Sequence, residues 1–307
     1  MGQSKGTIYI ILILCSLLAN GCQKDINLID GNEPISTFNI SKIKIENYVN
    51  RLYIDIIGRE PLNDELVEEV LFLQDSSLSR EARSEIIVKL MTDDSFKEEE
   101  ESYKAAFILN LYNLAKVRCL EGVSDSEIRS QIGIARFGAT RDSLDGNWDG
   151  YFRRLETIRK YEAFLDSQQE LYDGNIQYHE LFAFAINNGI YDEINMNTFN
   201  FVRAAFDELL WRLPTEQEFD ASFSMIEFNE PAILFGRSGS DKQAFIDILI
   251  QSTGMLEGMI IWAYQTMLNR QPKPEEVITL LPRYAEEKDI KYILEEILLT
   301  DEYANFR

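Results

Sequence analysis

Histidine is almost missing from this chain: its 307 residues contain one, His179. A multi-histidine metal site is therefore excluded, and any Ser-His-Asp or Cys-His arrangement has to run through His179. Cysteine is scarce as well. There are three, with no Cys-x-x-Cys, which excludes zinc ribbons, thioredoxin-like sites and c-type haem attachment. No Gly-x-Ser-x-Gly elbow, Gly-x-x-x-x-Gly-Lys loop or Gly-x-Gly-x-x-Gly turn occurs. Positive charge is short too. Thirty Lys+Arg against 52 Asp+Glu give a net charge of −22, and such a surface repels nucleic acid and anionic headgroups. It suits solubility, cation binding or a basic protein partner. At 45% hydrophobic the chain has enough apolar residues for a buried core.

What is present begins at the N-terminus. Residues 1–22 read MGQSKGTIYIILILCSLLANGC: Lys5, then an apolar stretch from Ile8 to Leu18, then small residues before Cys22. The apolar stretch is too short to span a bilayer but fits the core of a signal peptide over residues 1–21. LLANGC resembles a bacterial lipobox, although Asn20 is not the commonest residue at its place. The resemblance implies that Cys22 becomes the lipidated first residue of the mature protein. The competing reading is an ordinary secretory signal followed by a chance cysteine. Cleavage removes Cys15, and lipidation of Cys22 then leaves Cys119 as the one thiol, so no intramolecular disulfide is expected. Gln23 in place of Asp implies the outer membrane. Gln23-Lys24-Asp25 is similar to the surface-export signal of Bacteroidetes lipoproteins, with Ile26 interrupting the acids. This implies surface exposure, with a periplasm-facing orientation as the alternative. Residues 22–40 are polar, contain Gly31 and Pro34, and read as a tether.

Three segments align on an Arg-x-Pro turn: VNRLYIDIIGREPLNDE from Val49, VRAAFDELLWRLPTEQE from Val202 and IIWAYQTMLNRQPKPEE from Ile260. Before each turn, apolar residues recur at i, i+3, i+4, i+7 and i+8, which is one stripe of a helix. The stripes are Val49 to Ile57, Val202 to Leu210 and Ile260 to Leu268. A ring (Tyr53, Phe206 or Tyr264) stands six residues before each Arg and is expected in the core. Proline disfavours the α conformation in the residue before it, so the first helix stops near the Arg. A second helix follows, expected to bury Leu66, Val70 and Leu73, then Phe219, Phe223 and Ile226, then Val277, Leu281 and Tyr284. A third carries Ile86 to Met91 in copy one and Ile290 to Leu298 in copy three. In copy two a Gly/Ser insertion at 235–240 precedes Phe245. Arg59, Arg212 and Arg270 are read as bonding the last carbonyls of the first helix at its negative dipole end, rather than as ligand-binding groups.

LYIDIIGREPLNDE and the ending LLTDEYANF resemble two families. One is the small helical domains of uncharacterised function that accompany planctomycete-type cytochromes. The other is the related domain of bacterial surface proteins with an "LGR-x-P" turn. The resemblance covers roughly 50 residues per copy. It implies a helical fold and an extracytoplasmic setting, and no chemistry.

No segment alternates like a strand, so the fold class is all-α, with repeated helical units packed around a longer helical middle region. The expected organisation is repeat one over 41–96, a middle region over 97–200, and repeats two and three over 201–307. In the middle region, Lys97-Glu98-Glu99-Glu100-Glu101 opens a helix running to about Glu121. A connecting stretch occupies 121–150, a helix runs from about Tyr151 to Leu171, and a shorter one (176–187) carries His179 as a packed or capping residue. Cys119 sits in a helical apolar pattern and reads as core. Trp211 and Trp262 fall in the repeat helices, whereas Trp148 lies in a polar loop and is expected to be exposed.

One segment has metal-ligand spacing. Asp145, Asn147, Asp149, Gly150, the Tyr151 carbonyl and Glu156 fit the pattern Asp-x-Asp/Asn-x-Asp/Asn-Gly-x5-Glu of a calcium loop. Arg153 and Arg154 stand where an acid or hydroxyl is usual. The alternative is an Asx-rich turn in which Asn147 or Asp149 caps the following helix. Ca²⁺ is the one cofactor the sequence suggests.

Two function classes follow. The first is a non-catalytic, lipid-anchored helical scaffold or accessory subunit. Its partners would be outer-membrane or other surface proteins of a secretion, motility or uptake machine, with no nucleic acid. The second is a ligand-handling lipoprotein that binds glycan or hydrolyses it weakly through carboxylates. No catalytic residue can be singled out for it.

Overall fold

The computed structural model describes residues 40–95 and 101–306. The segment read as a signal peptide, Cys22, the expected tether up to residue 39 and residues 97–100 of the acidic run lie outside the described residues. The fold is all-α. Fifteen α-helices are present among the described residues, beside one π-helical turn and one two-stranded hairpin.

The first three helices are α1 (Lys42–Ile57), α2 (Asn63–Asp75) and α3 (Arg80–Thr92). The stripe on α1 is fully inside: Val49, Leu52 and Tyr53 are 0% exposed. Next come α4 (Tyr103–Leu120), α5 (Asp125–Leu144) and α6 (Trp148–Asp173), then the short α7 (Tyr178–Ile186) and α8 (Gly189–Asn195). Helix α4 packs on α1 and α3 as well as on α6 and α7, so the middle region shares its core with the N-terminal helices.

The stretch 121–150, expected as a connection, holds the 20-residue helix α5. Ser124 caps it, accepting from the Glu127 N–H at 3.2 Å. Its buried residues are Ile128, Ile132, Ala135 and Ala139, a stripe so narrow that two glycines and many polar residues mask it in the sequence. It packs chiefly on α6 as an antiparallel hairpin. Gly138 sits where a Cβ would come within 2.5 Å of the Arg154 guanidinium, so its small size lets that side chain lie across α5.

The C-terminal half contains α9 (Thr198–Leu210), α10 (Glu216–Phe223), the π turn Ser224–Phe228, strands β1 (Ala232–Leu234) and β2 (Arg237–Gly239), and α11 (Lys242–Ile250). The Gly/Ser insertion is thus part of a β-hairpin, with Ala232 opposite Gly239. Its two-residue turn, Phe235-Gly236, has φ of 50° and 75°, the positive values that a hairpin of this length favours. The π turn follows directly on α10. Ser222 and Met225 are the residues buried there, while Phe219, Phe223 and Ile226, expected in the core, are half-buried. Phe223 instead packs its ring on Phe219 at 5.7 Å and on Phe228 at 5.8 Å.

The chain ends with α12 (Thr253–Leu268), α13 (Pro274–Glu287), α14 (Ile290–Leu298) and α15 (Asp301–Ala304). Helices α9 and α12 approach closely: a Cβ on Gly258 would lie 1.9 Å from the Leu209 carbonyl oxygen. The last helices pack on α1 and α3. The Tyr48 hydroxyl donates to the Leu298 carbonyl at 3.1 Å, the Tyr303 hydroxyl donates to Asp55 at 2.9 Å, and Arg80 forks onto Glu296 at 2.9 and 3.0 Å.

Candidate functional site

The three Arg-x-Pro turns make the same set of hydrogen bonds, and it differs from the one expected. Arg59 forks onto Glu65 at 2.7 and 2.9 Å, Arg212 onto Glu218 at 2.7 and 2.6 Å, and Arg270 onto Glu276 at 2.8 and 2.8 Å. In each case the Glu is six residues after the Arg. Its carboxylate also accepts the backbone N–H three residues before it: Leu62 at 2.8 Å, Thr215 at 2.8 Å and Lys273 at 2.6 Å. This is one half of a capping box, with the guanidinium gripping the capping carboxylate from outside. Each Arg also lies over the ring six residues before it: Tyr53 at 5.7 Å, Phe206 at 5.4 Å and Tyr264 at 5.0 Å.

Each Arg donates to the carbonyl of the next residue, namely Glu60, Leu213 and Gln271. The helix ends are bonded from elsewhere. Asn110 donates to the Asp55 and Ile56 carbonyls at 3.0 and 3.1 Å, Arg118 to those of Asp207 and Glu208 at 2.8 and 3.1 Å, and Arg51 to that of Met267. The glutamate at +6 is visible in all three sequence copies and identifies the clamp; the expected carbonyl contact hid it.

Around the first clamp lies a buried polar network. Tyr103 donates to Glu65 at 2.6 Å, Lys89 binds Glu69, and the Tyr53 hydroxyl sits 3.3 Å from that of Tyr103 and 3.4 Å from Glu69. Glu65 and Glu69 are 8% and 3% exposed. Both carboxylates are held by cations and hydroxyls within the core, where partnering offsets the desolvation cost.

A second cluster joins α4, α8 and α9. The Glu208 carboxyl lies beside Tyr191 and the Cys119 thiol, and burial raises its pKa to about 7. Burial likewise pushes the Cys119 thiol up, as suits a core residue. His179 is 2% exposed, its Nδ1 has no hydrogen-bond partner, and burial lowers its pKa to about 4. It is packed in the core, as read from its apolar surroundings.

The candidate calcium segment is a helical turn. Asp145 ends α5 with an exposed side chain, and Asn147 caps α6, its Oδ1 accepting from the Gly150 N–H at 3.2 Å. Asn147 also donates to Asp142 at 2.9 Å. Asp149, Tyr151 and Glu156 lie within α6, which starts at Trp148 and so places Glu156 about 12 Å along the helix from its start. Arg159 forks onto Glu156 at 2.9 and 2.7 Å and holds its carboxyl below the usual range. The geometry is that of the Asx turn, and the extended loop that would converge Asp145, Asn147, Asp149, Tyr151 and Glu156 on one point is not formed. No group of three or more His, Cys, Asp or Glu gathers to hold a metal ion among the described residues.

Among the described residues several clefts have the volume of a small molecule, including one of about 420 Å³ lined by Leu111, Leu171, Tyr178, Glu287 and Asp289. A second, of about 360 Å³, is lined by Gly58, Arg59, Glu101, Asn110 and Asn113. A third, of about 390 Å³, is lined by Arg159, Lys160, Asn187, Gln243 and Asp247. Trp262 is buried, Trp211 half-buried beneath Arg118 at 4.0 Å, and Trp148 is 56% exposed at the α5–α6 turn. No single helix among the described residues is long and apolar enough to cross a membrane. No protein-family model, curated protein or solved structure matches this chain.

Proposed function

We propose that this chain is an outer-membrane lipoprotein of Bacteroidetes type, anchored through Cys22 and exposed at the cell surface. It acts there as a non-catalytic helical scaffold for outer-membrane or surface protein subunits. The observation that carries the scaffold reading is the atom-for-atom recurrence of the Arg–Glu clamp at residues 59/65, 212/218 and 270/276. Recurrence of one turn chemistry supports three copies of one helical unit, and arrays of such units present extended surfaces to partners. The carboxylates at these turns hold helices together and are not directed at a common cleft. Residues 22–41 would leave at most about 65 Å between the anchor and the first helix.

Isolation of the native protein in mild detergent tests this reading. The expected result is co-purification of a defined membrane or surface subunit. A chain that purifies alone and binds an oligosaccharide saturably would favour the ligand-handling alternative and overturn the scaffold.

A further inference from the structure

Helix α7 packs on both α6 and α11, and the three together line the cleft of about 390 Å³. Helix α7 contributes its floor, with Ala183 and Phe184 half-buried there and Asn187 at the helix end. Lys160 and Ala163 line it from α6, and Gln243 and Asp247 from α11. The volume, and the mixture of apolar surface with a few polar groups, are those of a small-ligand site.

A polar ladder crosses this cleft. Lys160 Nζ donates to Asn187 Oδ1 at 3.1 Å, Asn187 Nδ2 to Gln243 Oε1 at 2.6 Å, and Gln243 Nε2 to Asp247 Oδ1 at 2.9 Å. The ladder has a direction: a cation at its α6 end, a carboxylate at its α11 end, and two amides between. Elsewhere cations meet carboxylates directly, as Arg59, Arg212 and Arg270 do. The side-chain hydrogen bonds of Lys160 and Asp247 go to amides instead, and neither residue forms an ion pair among the described residues. Both charges are thus held in place without being neutralised. They also keep unused capacity: an ammonium has three donors, a carboxylate two oxygens, and each amide a second N–H. Arg159 lines the cleft as well, but it forks onto Glu156, so the cationic end rests on Lys160.

The complement of this arrangement is a molecule with an anion at one end, a cation at the other, amide groups between, and an apolar group for Ala163, Ala183 and Phe184. A single amino acid carries both charges on one carbon and does not extend along two interposed amides. Each further residue adds about 3.5 Å. We propose that this cleft binds a di- or tripeptide with free termini, its carboxylate on Lys160, its peptide groups on Asn187 and Gln243, and its ammonium on Asp247. The site is separate from the Arg–Glu clamps and depends neither on the scaffold reading nor on the lipid anchor.

The test is calorimetric titration of the full mature chain carrying Cys22→Ser, with alanyl-leucyl-alanine as the probe. The same tripeptide acetylated at its N-terminus or amidated at its C-terminus, free leucine and acetate are the comparisons. The expected result is saturable binding of the free tripeptide, weakened at least tenfold by either block. Lys160→Gln should erase the cost of amidation and keep that of acetylation, and Asp247→Asn should do the reverse. A fold defect does not produce that crossed pattern. Lys160 is half-buried and Asp247 exposed, and an unchanged melting temperature is expected for both variants. The proposal is overturned if the free tripeptide does not bind at millimolar concentration, or if leucine or acetate binds as tightly. It is equally overturned if the blocks cost nothing in the parent chain, or if both end preferences survive in the variants.

Discussion

Arg270 forks onto two carboxylates at once, Glu276 at 2.8 and 2.8 Å and Glu302 at 2.7 and 2.7 Å. The same guanidinium thus ties the start of α13 to α15 at the chain's C-terminus. Arg212 holds Glu218 alone among carboxylates. Arg270→Ala should therefore cost more stability, about 1–2 kcal/mol, than Arg212→Ala, about 0.5–1 kcal/mol. Lysine should not restore either, because a point charge cannot make the fork. Urea unfolding of the four variants checks the order.

The clamp also predicts an acid limb. Arg212, helped by the Thr215 N–H, lowers the Glu218 pKa to about 2, below its unfolded value of about 4.3. A carboxyl depressed in the folded state contributes stability above the unfolded value and loses it as pH falls from about 4.3 through 2. Glu218→Gln should flatten the fall in melting temperature over that window and leave the limb above pH 5 unchanged.

Glu208 acts in the opposite direction. Its pKa of about 7 exceeds the unfolded value, so its contribution is fully present below about 4.3 and is lost as pH rises through 7. Glu208→Gln should stabilise the protein at pH 8 by roughly 1–2 kcal/mol, allowing for the partial exposure of the residue, and should be near neutral at pH 4. His179, lowered to about 4, favours the fold above about 6.5 and loses that contribution as pH falls through 4. Thermal melts of Glu208→Gln and His179→Gln between pH 4 and 8 separate the two.

At the crossing of α9 and α12, Gly258→Ala places a methyl against the Leu209 carbonyl, a backbone atom that cannot turn aside. The helices must separate, and the expected loss is several kcal/mol, at or beyond the usual overpacking range of about 1–3 kcal/mol. Phe206→Ala, at a ring with 0% exposure, should cost about 3–5 kcal/mol by leaving a cavity. Chemical denaturation measures both.

The turn between α5 and α6 gives a contrast of a different kind. Asn147→Ala removes the cap and should cost about 1 kcal/mol, whereas Asp145→Ala should leave stability unchanged with and without millimolar calcium. Calorimetric titration of Ca²⁺ into both variants and the parent checks this directly.

The helices with wide apolar stripes, α1, α9, α12 and α14, were legible because burying one face of a helix imposes a 3.6-residue period. Tyr53, Phe206 and Tyr264 are buried as that period requires. Helix α5 was not legible, because a helix packed chiefly on one partner needs only four small or β-branched contacts, here Ile128, Ile132, Ala135 and Ala139. The π turn at Ser224–Phe228 was hidden as well: one extra residue in a turn changes the backbone without changing composition. In the segment 145–156, residue spacing identified the polar side chains but not the backbone. The Asn147 cap starts α6 at Trp148 and carries Glu156 away from the turn.

Membrane anchorage at Cys22 is the claim on which the proposed function turns, and the intact mass of the protein taken from fractionated membranes tests it most directly. The expected result is a chain beginning at an acylated Cys22, recovered with the outer membrane and released to the soluble fraction by Cys22→Ser. An unacylated chain beginning elsewhere, or outer-membrane recovery unchanged in the Cys22→Ser variant, would contradict it.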